Sequence, residues 1–431
     1  MPSEERKAKR KRTQSQSQSQ STAPASDFIA KFNPHKPSAH LLHPQQSPQS
    51  TSQSGAQDVA SRKAYTVSVA LPGSIILNAQ SAELRTYLAG QIARTCAIFN
   101  VDEIVVFDEP VHNGQMPQQS RGRRNDLNHG EDAFDHNVFL VRLLEYLETP
   151  QYLRRALFPL HPSLKLAGLL PPLDCPHHLR RTDNSPFREG VTLSTSSSHS
   201  AHQPPTESHA NEKRKTGANP SNTITLIDVG LDNPVSVPME VPSGLRVTVR
   251  MPSDEEVNAQ IVSSTIPPAE LGTYWGYKVR LATSIAAVFS ECPFNPAGST
   301  EGGYDLVVGT SERGTSLSDE LAAFRSKTSK TKLKDKPDLK PGSPQAGMRE
   351  FSHLIIIFGG LSGLELTISS DESFGGLAPE QASKACDLWL NVCENQGSRT
   401  IRTEEALGIA LARLKDVIES LGRKTSSSRA S

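Results

Sequence analysis

The run Leu354-Ile355-Ile356-Ile357-Phe358 carries five consecutive apolar side chains and ends on Gly359-Gly360. A strand with one wet face alternates apolar and polar residues, whereas an unbroken apolar run needs both faces covered. Strands of that kind belong to parallel sheets flanked by helices. Glu103 to Phe107 and Tyr304 to Val308 read the same way. Ahead of the first, Tyr65 to Leu71 alternates as a strand. Leu84, Leu88, Ile92, Cys96 and Phe99 then recur at helical spacing, with Asn78 or Ser81 as N-cap. Strand, helix and strand at this spacing begin a βαβ unit, so the expected fold class is α/β.

The remaining periodicities extend that frame. Helices are expected over 135–147, where Thr149-Pro150 stops the chain, and over 150–158. Tyr274, Tyr277, Leu281, Ile285 and Val288 form a further helical stripe, and Asp387 to Cys393 a short strand. Thr403 to Leu421 is the clearest helix: Leu407, Leu411, Leu414, Ile418 and Leu421 share a face, and Glu404 and Glu405 suit its first turn. Between the two α/β parts, Ile224 to Val229, Val235 to Val241 and Leu245 to Met251 are short strand-like runs separated by turns. They suggest a small β-barrel or sandwich.

Not all of the chain can bury a core. Hydrophobic residues make up 35% of 431 positions, and 31 prolines lie among Ser, Thr and Gln tracts. Residues 1–61 are low-complexity, and 194–222 and 423–431 read as a disordered linker and tail. The polar stretches 111–132 and 315–349 read as disordered insertions. This leaves 62–193 and 266–422 as one discontinuous α/β domain interrupted by the β insertion at 223–265.

Formal net charge is zero, so global charge points to no partner. The run Arg6, Lys7, Lys9, Arg10, Lys11 and Arg12 instead suits nuclear import or an RNA-contacting arm. No stretch approaches the roughly 18–20 apolar residues of a membrane span, so no membrane partner is expected. Five scattered cysteines contain no CxxC pair, which argues against a disulfide framework. Cys175, His177 and His178 crowd a proline-rich turn without a second ligand pair. They are read as a surface turn, and no metal is expected.

Three strand ends run into glycine-bearing turns. They are Gly309 to Gly314, Phe358 to Glu365 and Asn395 to Glu404. Glycine lets the backbone approach a ligand closely, and open α/β sheets bind ligands beyond the carboxyl ends of their strands. Neither GxGxxG nor GxxxxGK[ST] is present, which disfavours dinucleotide and P-loop chemistry. An adenosine cofactor lacking phosphates fits better, with Leu361, Leu364 and Ile401 available for the adenine face. GxSxG and HExxH are also missing. What stands out instead is arginine: Arg94, Arg313, Arg399 and Arg402. An RNA enzyme needs such fixed cations for phosphates and bases.

These residues resemble the SPOUT superfamily of RNA methyltransferases, the α/β-knot enzymes. The closer similarity is to the eukaryotic and archaeal branch in which an OB-like barrel interrupts the catalytic domain. It is carried by residues 69–109, FREGVT at 187–192, residues 274–289, YDLVVGTSERG at 304–314, IIIFGGLSGLE at 355–365 and NQGSRTIRTEEALGIAL at 395–411. The resemblance implies a trefoil knot, an exception to the rule against threading. It also implies a homodimer with the active site at the subunit interface, and S-adenosylmethionine bent into the three turns. The implied cofactor contacts are Thr310, Ser311, Glu312 and Gly314, then Phe358, Gly359, Gly360, Leu361 and Gly363, then Gln396, Gly397, Ser398, Thr400, Ile401 and Thr403. Residues 89–107 resemble the first motif of ribose-methylating members, which makes Arg94 the candidate catalytic residue. Arg154, Arg155, Arg313, Arg399 and Arg402 are candidate RNA contacts. The expected activity is methylation of a base, such as uridine N3, in ribosomal or other nuclear RNA. The corresponding location is the nucleus, or the nucleolus for ribosomal RNA. The alternative is an RNA-binding or ribosome-assembly factor that retains the fold without catalysis. OB-folds bind single strands through basic grooves and aromatics, yet between Ile224 and Ile266 there is no aromatic and only Arg246 and Arg250 are basic.

Overall fold

A computed structural model describes residues 63–109, 134–193, 196–197, 223–253, 258–294, 303–330 and 347–423. The basic run and the tail 1–61, the 111–132 insertion, nearly all of 194–222 and residues 424–431 lie outside the described residues.

The chain opens with β1 (Thr66–Pro72), α1 (Ala82–Ile98) and β2 (Glu103–Phe107). Of the two candidate caps for α1, Ser81 is the one used: its side chain accepts from the Leu84 amide. Leu88, Ile92 and Cys96 turn into the core, but Leu84 stays 54% exposed. Helices α2 (His136–Glu148) and α3 (Gln151–Leu157) follow, with Asp135 capping α2. Next come β3 (Phe187–Thr192), β4 (Ser196–Ser197), β5 (Thr223–Asp228), β6 (Val235–Val237), β7 (Arg246–Arg250) and β8 (Gln260–Val262). All pairings among them are antiparallel. They form the half-barrel insertion, around a small core of Ile227, Val229, Val237, Val247, Val249 and Ala259. The FREGVT strand is therefore part of this second sheet.

After α4 (Ile266–Leu271) the chain adds β9 (Lys278–Ala282), α5 (Ile285–Ser290), β10 (Leu306–Ser316), α6 (Leu317–Lys330), β11 (His353–Ile357), α7 (Leu364–Ser370), β12 (Leu388–Asn391) and α8 (Thr403–Leu421). The first sheet has six strands in the order β12-β10-β11-β1-β2-β9, all parallel. Its apolar runs face two layers. Val69, Ile104 and Ile356 join the cluster under α1, α2 and α8. Ala70, Val105, Ile355 and Ile357 join the opposite cluster, with α5 and α7. Both faces are covered, as unbroken apolar strands require.

Two expectations are corrected. The stripe from Tyr274 to Val288 is not one helix: Lys278–Ala282 is an edge strand paired with β2, and only Ile285–Ser290 is helical. Gly276 at φ +84° interrupts any helix, and a short apolar run satisfies strand and helix spacing alike. Tyr274 and Tyr277 instead donate to the carbonyls of Val101 (2.7 Å) and Leu144 (3.0 Å). The second correction concerns 315–349. Its first part ends β10 and then forms α6, because Leu317, Leu321 and Phe324 recur at helical spacing and pack on the main core. Residues 331–346 lie outside the described residues.

Candidate active site

The three glycine turns leave neighbouring strands at one edge of the sheet, because β12, β10 and β11 are adjacent and parallel. The first turn is an excursion within β10. Thr310 and Thr315 both pair with Leu390, so residues 311–314 loop out. Gly314 is required there: a Cβ would lie 2.5 Å from the Leu390 carbonyl carbon. The second turn follows β11. A Cβ on Gly359 would lie 2.4 Å from the Leu364 amide nitrogen, and Gly363 sits at φ +81°. The third turn begins at Asn395, φ +56°, and runs into α8.

Side chains tie the turns together. Thr403 Oγ1 donates to the Gly359 carbonyl (2.9 Å), joining the start of α8 to the second turn. Thr310 Oγ1 donates to the Ile357 carbonyl (2.9 Å), and Ser311 donates to Glu365 on α7. Asn391 Nδ2 reaches the Glu312 carbonyl (3.0 Å). Phe358 is buried beneath the second turn, as is Leu364, so Leu364 belongs to the core and offers no ligand face. Leu361 is 67% exposed, Gln396 and Ile401 are half-buried, and Gly397, Ser398 and Thr400 are exposed. The result is a shallow cradle of backbone and small polar groups, chemistry suited to an adenosine edge.

Glu109 was not anticipated from sequence. It follows β2, is 7% exposed, and accepts from Ser74 and from Thr367 Oγ1 (3.1 Å). A Cβ on Gly360 would lie 2.3 Å from Glu109 Oε1, so the glycine makes room for this carboxylate. Gly360→Val is accordingly expected to displace Glu109 and the second turn, and, if that turn holds the S-adenosylmethionine implied by the resemblance, to weaken its binding by about tenfold or more in calorimetry. Unchanged affinity would remove this turn from the cofactor site.

The chain matches the family described as "Putative RNA methyltransferase" over residues 66–414. It is 41% identical over 368 residues to the mouse 28S rRNA (uridine-N(3))-methyltransferase, covering 84% of this chain and 79% of that one. The human protein of the same description is 42% identical over 356 residues, 81% of this chain and 78% of its own. The Drosophila melanogaster protein is 39% identical over 359 residues, 82% and 62% respectively. The chain belongs to this RNA methyltransferase family.

In this methyltransferase the predicted arginines divide. Arg313, Arg399 and Arg402 are exposed around the turns, with Arg402 3.8 Å from Glu404. Arg155 is exposed on α3. Arg154 works inside the fold: it donates to the carbonyls of Thr149 (2.9 Å) and Leu147 (3.0 Å) and lies over the Tyr146 ring. Arg94 donates to the carbonyls of Pro172 (3.1 Å) and Leu173 (2.8 Å). It lies one turn before the end of α1, near the edge where β1 and β2 begin, marked by the Asp102 carboxylate on the Val67 amide.

The Cys175, His177 and His178 turn is buried, correcting the surface reading: Cys175 is 6% exposed and His177 0%. Their potential ligand atoms lie within 4.8 Å of one another. Glu148 organises the group, with its Oε1 2.9 Å from His177 Nε2 and its carbonyl 2.6 Å from His178 Nε2. Burial pushes the Cys175 thiol up to about 12 and His178 down to about 4, so both are neutral near pH 7.

Nearby on α2, burial raises Glu145 to about 8, reinforced by the Glu148 charge. Its Oε2 is buried without a hydrogen-bond partner. Folded Glu145 thus keeps a proton that the unfolded residue releases near about pH 4.3. Its contribution to stability is complete below that pH and is lost as pH rises towards 8. Glu145→Gln should therefore lose less melting temperature than the parent between pH 5 and pH 8. The gap should be about 2–4 °C for each kcal/mol recovered. Parallel melting curves across that range would exclude Glu145 as the titrating group.

Proposed function

We propose that this protein transfers the methyl group of S-adenosylmethionine to N3 of a uridine in large-subunit ribosomal RNA. The observation that carries the reading is the meeting of three glycine turns on adjacent parallel strands, in a chain similar to 28S rRNA uridine-N3 methyltransferases. The cofactor's adenosine lies in the cradle of residues 309–314, 358–363 and 396–403. Arg313, Arg399 and Arg402 on its rim meet RNA phosphates. The knotted path is supported by the strand order, with β12 outside β10 and the start of α8 bonded back to the turn after β11.

The sulfonium methyl is already activated, so the chemistry is in-line displacement. The acceptor nitrogen must sit about 3–3.5 Å from the methyl carbon, and orientation supplies much of the acceleration. Uridine N3 carries a proton, and its loss puts negative charge on the ring carbonyl oxygens. A guanidinium beside them stabilises that charge. Arg94 fills this role from the second subunit of a homodimer, the arrangement the resemblance implies, and in its own chain its guanidinium is held on the Pro172 and Leu173 carbonyls. The exposed Leu84 and Tyr87 on the same helix support an interface there. The basic N-terminal run supports a nuclear, and for this substrate nucleolar, location.

The test is mass spectrometry of nucleosides from ribosomal RNA with and without the protein, beside calorimetry with S-adenosylmethionine. Loss of 3-methyluridine on removal, with measurable cofactor binding, is the expected result. An unchanged 3-methyluridine content together with no cofactor binding would instead favour a non-catalytic assembly factor.

A further inference from the structure

The buried Glu109 lies where three strand ends meet. Ser74 follows β1, Glu109 follows β2, and Gly360 follows β11. Ser74 Oγ donates to one carboxylate oxygen, and Thr367 Oγ1, on α7, lies 3.1 Å from the other and shares its one proton between that oxygen and the Gly363 carbonyl, also 3.1 Å away. Gly360 has no Cβ, and the carboxylate fills that space against the second turn. Among the described residues no cation forms an ion pair with it, although Arg280 pairs with Glu103 on β2. The nearby acids are Asp108, which faces Asn137 and His136, and Glu365, which takes Ser311. A carboxylate that is 7% exposed and held only by hydroxyls keeps unused acceptor capacity.

We infer that Glu109 is the general base of the methyl transfer, a reading that rests on the uridine-N3 function proposed above. Its carboxylate takes the N3 proton. The N3–H bonding pair becomes the nucleophile and forms the new N–C bond. The C–S bond breaks and its pair stays on sulfur. The cationic sulfonium and the anionic carboxylate become neutral thioether and neutral acid, so the step neutralises charge within a poorly solvated site. Ser74 and Thr367 orient the carboxylate, and the proton leaves to water once product departs. Arg94 and Glu109 thereby divide the work: one holds the charge on the ring oxygen, the other removes the proton.

The experiment uses the full-length protein and a uridine-containing RNA fragment of the large-subunit ribosomal RNA. Single-turnover methyl transfer and cofactor affinity are measured for the parent, Glu109→Gln and Glu109→Asp. The Gln variant should bind S-adenosylmethionine within about threefold of the parent and react about 100-fold more slowly. The Asp variant, which keeps the base, should fall between them. Two readouts separate base catalysis from positioning of the turn. The Gln variant should speed up about tenfold per pH unit between pH 7 and 9, as N3 ionises unaided, while the parent changes little. RNA carrying 5-fluorouridine, whose N3 is more acidic, should recover most of the lost rate. A Gln deficit equal at all pH values and for both RNAs overturns the base role and leaves the methyltransferase reading standing. A parent protein that binds cofactor yet makes no 3-methyluridine overturns both. If Glu109→Gln fails to fold, the pH profile and fluorouridine response of the Asp variant decide by the same criteria.

Discussion

Arg246→Met is expected to lower the unfolding free energy by about 3–5 kcal/mol, a loss large enough to threaten folding at physiological temperature. Arg246 bridges two buried carboxylates. Its Nη1 is 2.5 Å and its Nη2 3.0 Å from the oxygens of Glu148, and its Nε is 2.8 Å from Glu189. Glu189 also accepts from Thr248 Oγ1 (2.6 Å) and Trp275 Nε1 (2.8 Å), and Glu148 from His177. The group spans the end of α2 in the α/β part and strands β3 and β7 of the insertion. The Arg246 guanidinium is the chief influence that holds both carboxyls below the usual range against the opposing effect of burial. Removing it strands two buried charges, and uncompensated charge is what makes half a buried ion pair so destabilising. Adding Glu148→Gln and Glu189→Gln to Arg246→Met should restore part of the loss, measured by urea denaturation. A single variant within about 0.5 kcal/mol of the parent would show that water reaches these carboxylates.

The sign of the pH effect follows from the same shifts. Both carboxyls titrate lower in the folded chain than in the unfolded one. Their contribution is present above the unfolded value near about 4.3 and disappears as pH falls through the depressed folded values. Glu148 and Glu189 therefore contribute on the acid side of the stability curve, and Glu145 contributes a loss between pH 5 and 8.

Arg94→Ala carries the largest expected effect on activity. It should reduce methyl transfer by about 100- to 1,000-fold while leaving cofactor affinity nearly unchanged, the size found when one oxyanion donor is removed. Its contacts with the carbonyls of Pro172 and Leu173 orient the guanidinium. Mixing therefore tests the assignment directly. Arg94→Ala and Gly360→Val, each inactive alone, should complement when subunits are exchanged. A mixed dimer has one site with intact turns and an intact partner arginine, so an equal mixture should regain about a quarter of parental activity. Full activity in Arg94→Ala ends the catalytic role, and failure to complement ends the assignment across subunits.

Much of this arrangement could be read along the chain. The unbroken runs at 103–107 and 354–358 marked strands covered on both faces, and the apolar stripe at 403–421 marked α8, because burial imposes local periodicity. The three turns were legible because glycine is required where a Cβ would come within 3 Å of neighbouring backbone, as at Gly314 and Gly359. The Tyr274 to Val288 segment was misread because spacing alone does not distinguish a short edge strand from a helix; pairing with β2 settles it. The role of Gly360 was also out of reach. Its missing side chain makes room for Glu109, 251 positions earlier by residue number, and only the parallel pairing of β2 with β1 and β1 with β11 brings them together. The buried group of Glu148, Glu189 and Arg246 is the same kind of fact. Charge pairing depends on distance in space, and residues 98 positions apart carry no local trace of it. Local patterns thus specify which elements form and where the backbone is tight. Which charges meet, which arginines stay exposed and which carboxylate packs against the glycine turns are set by packing, because desolvation and Coulomb energies exist only once the layers have closed.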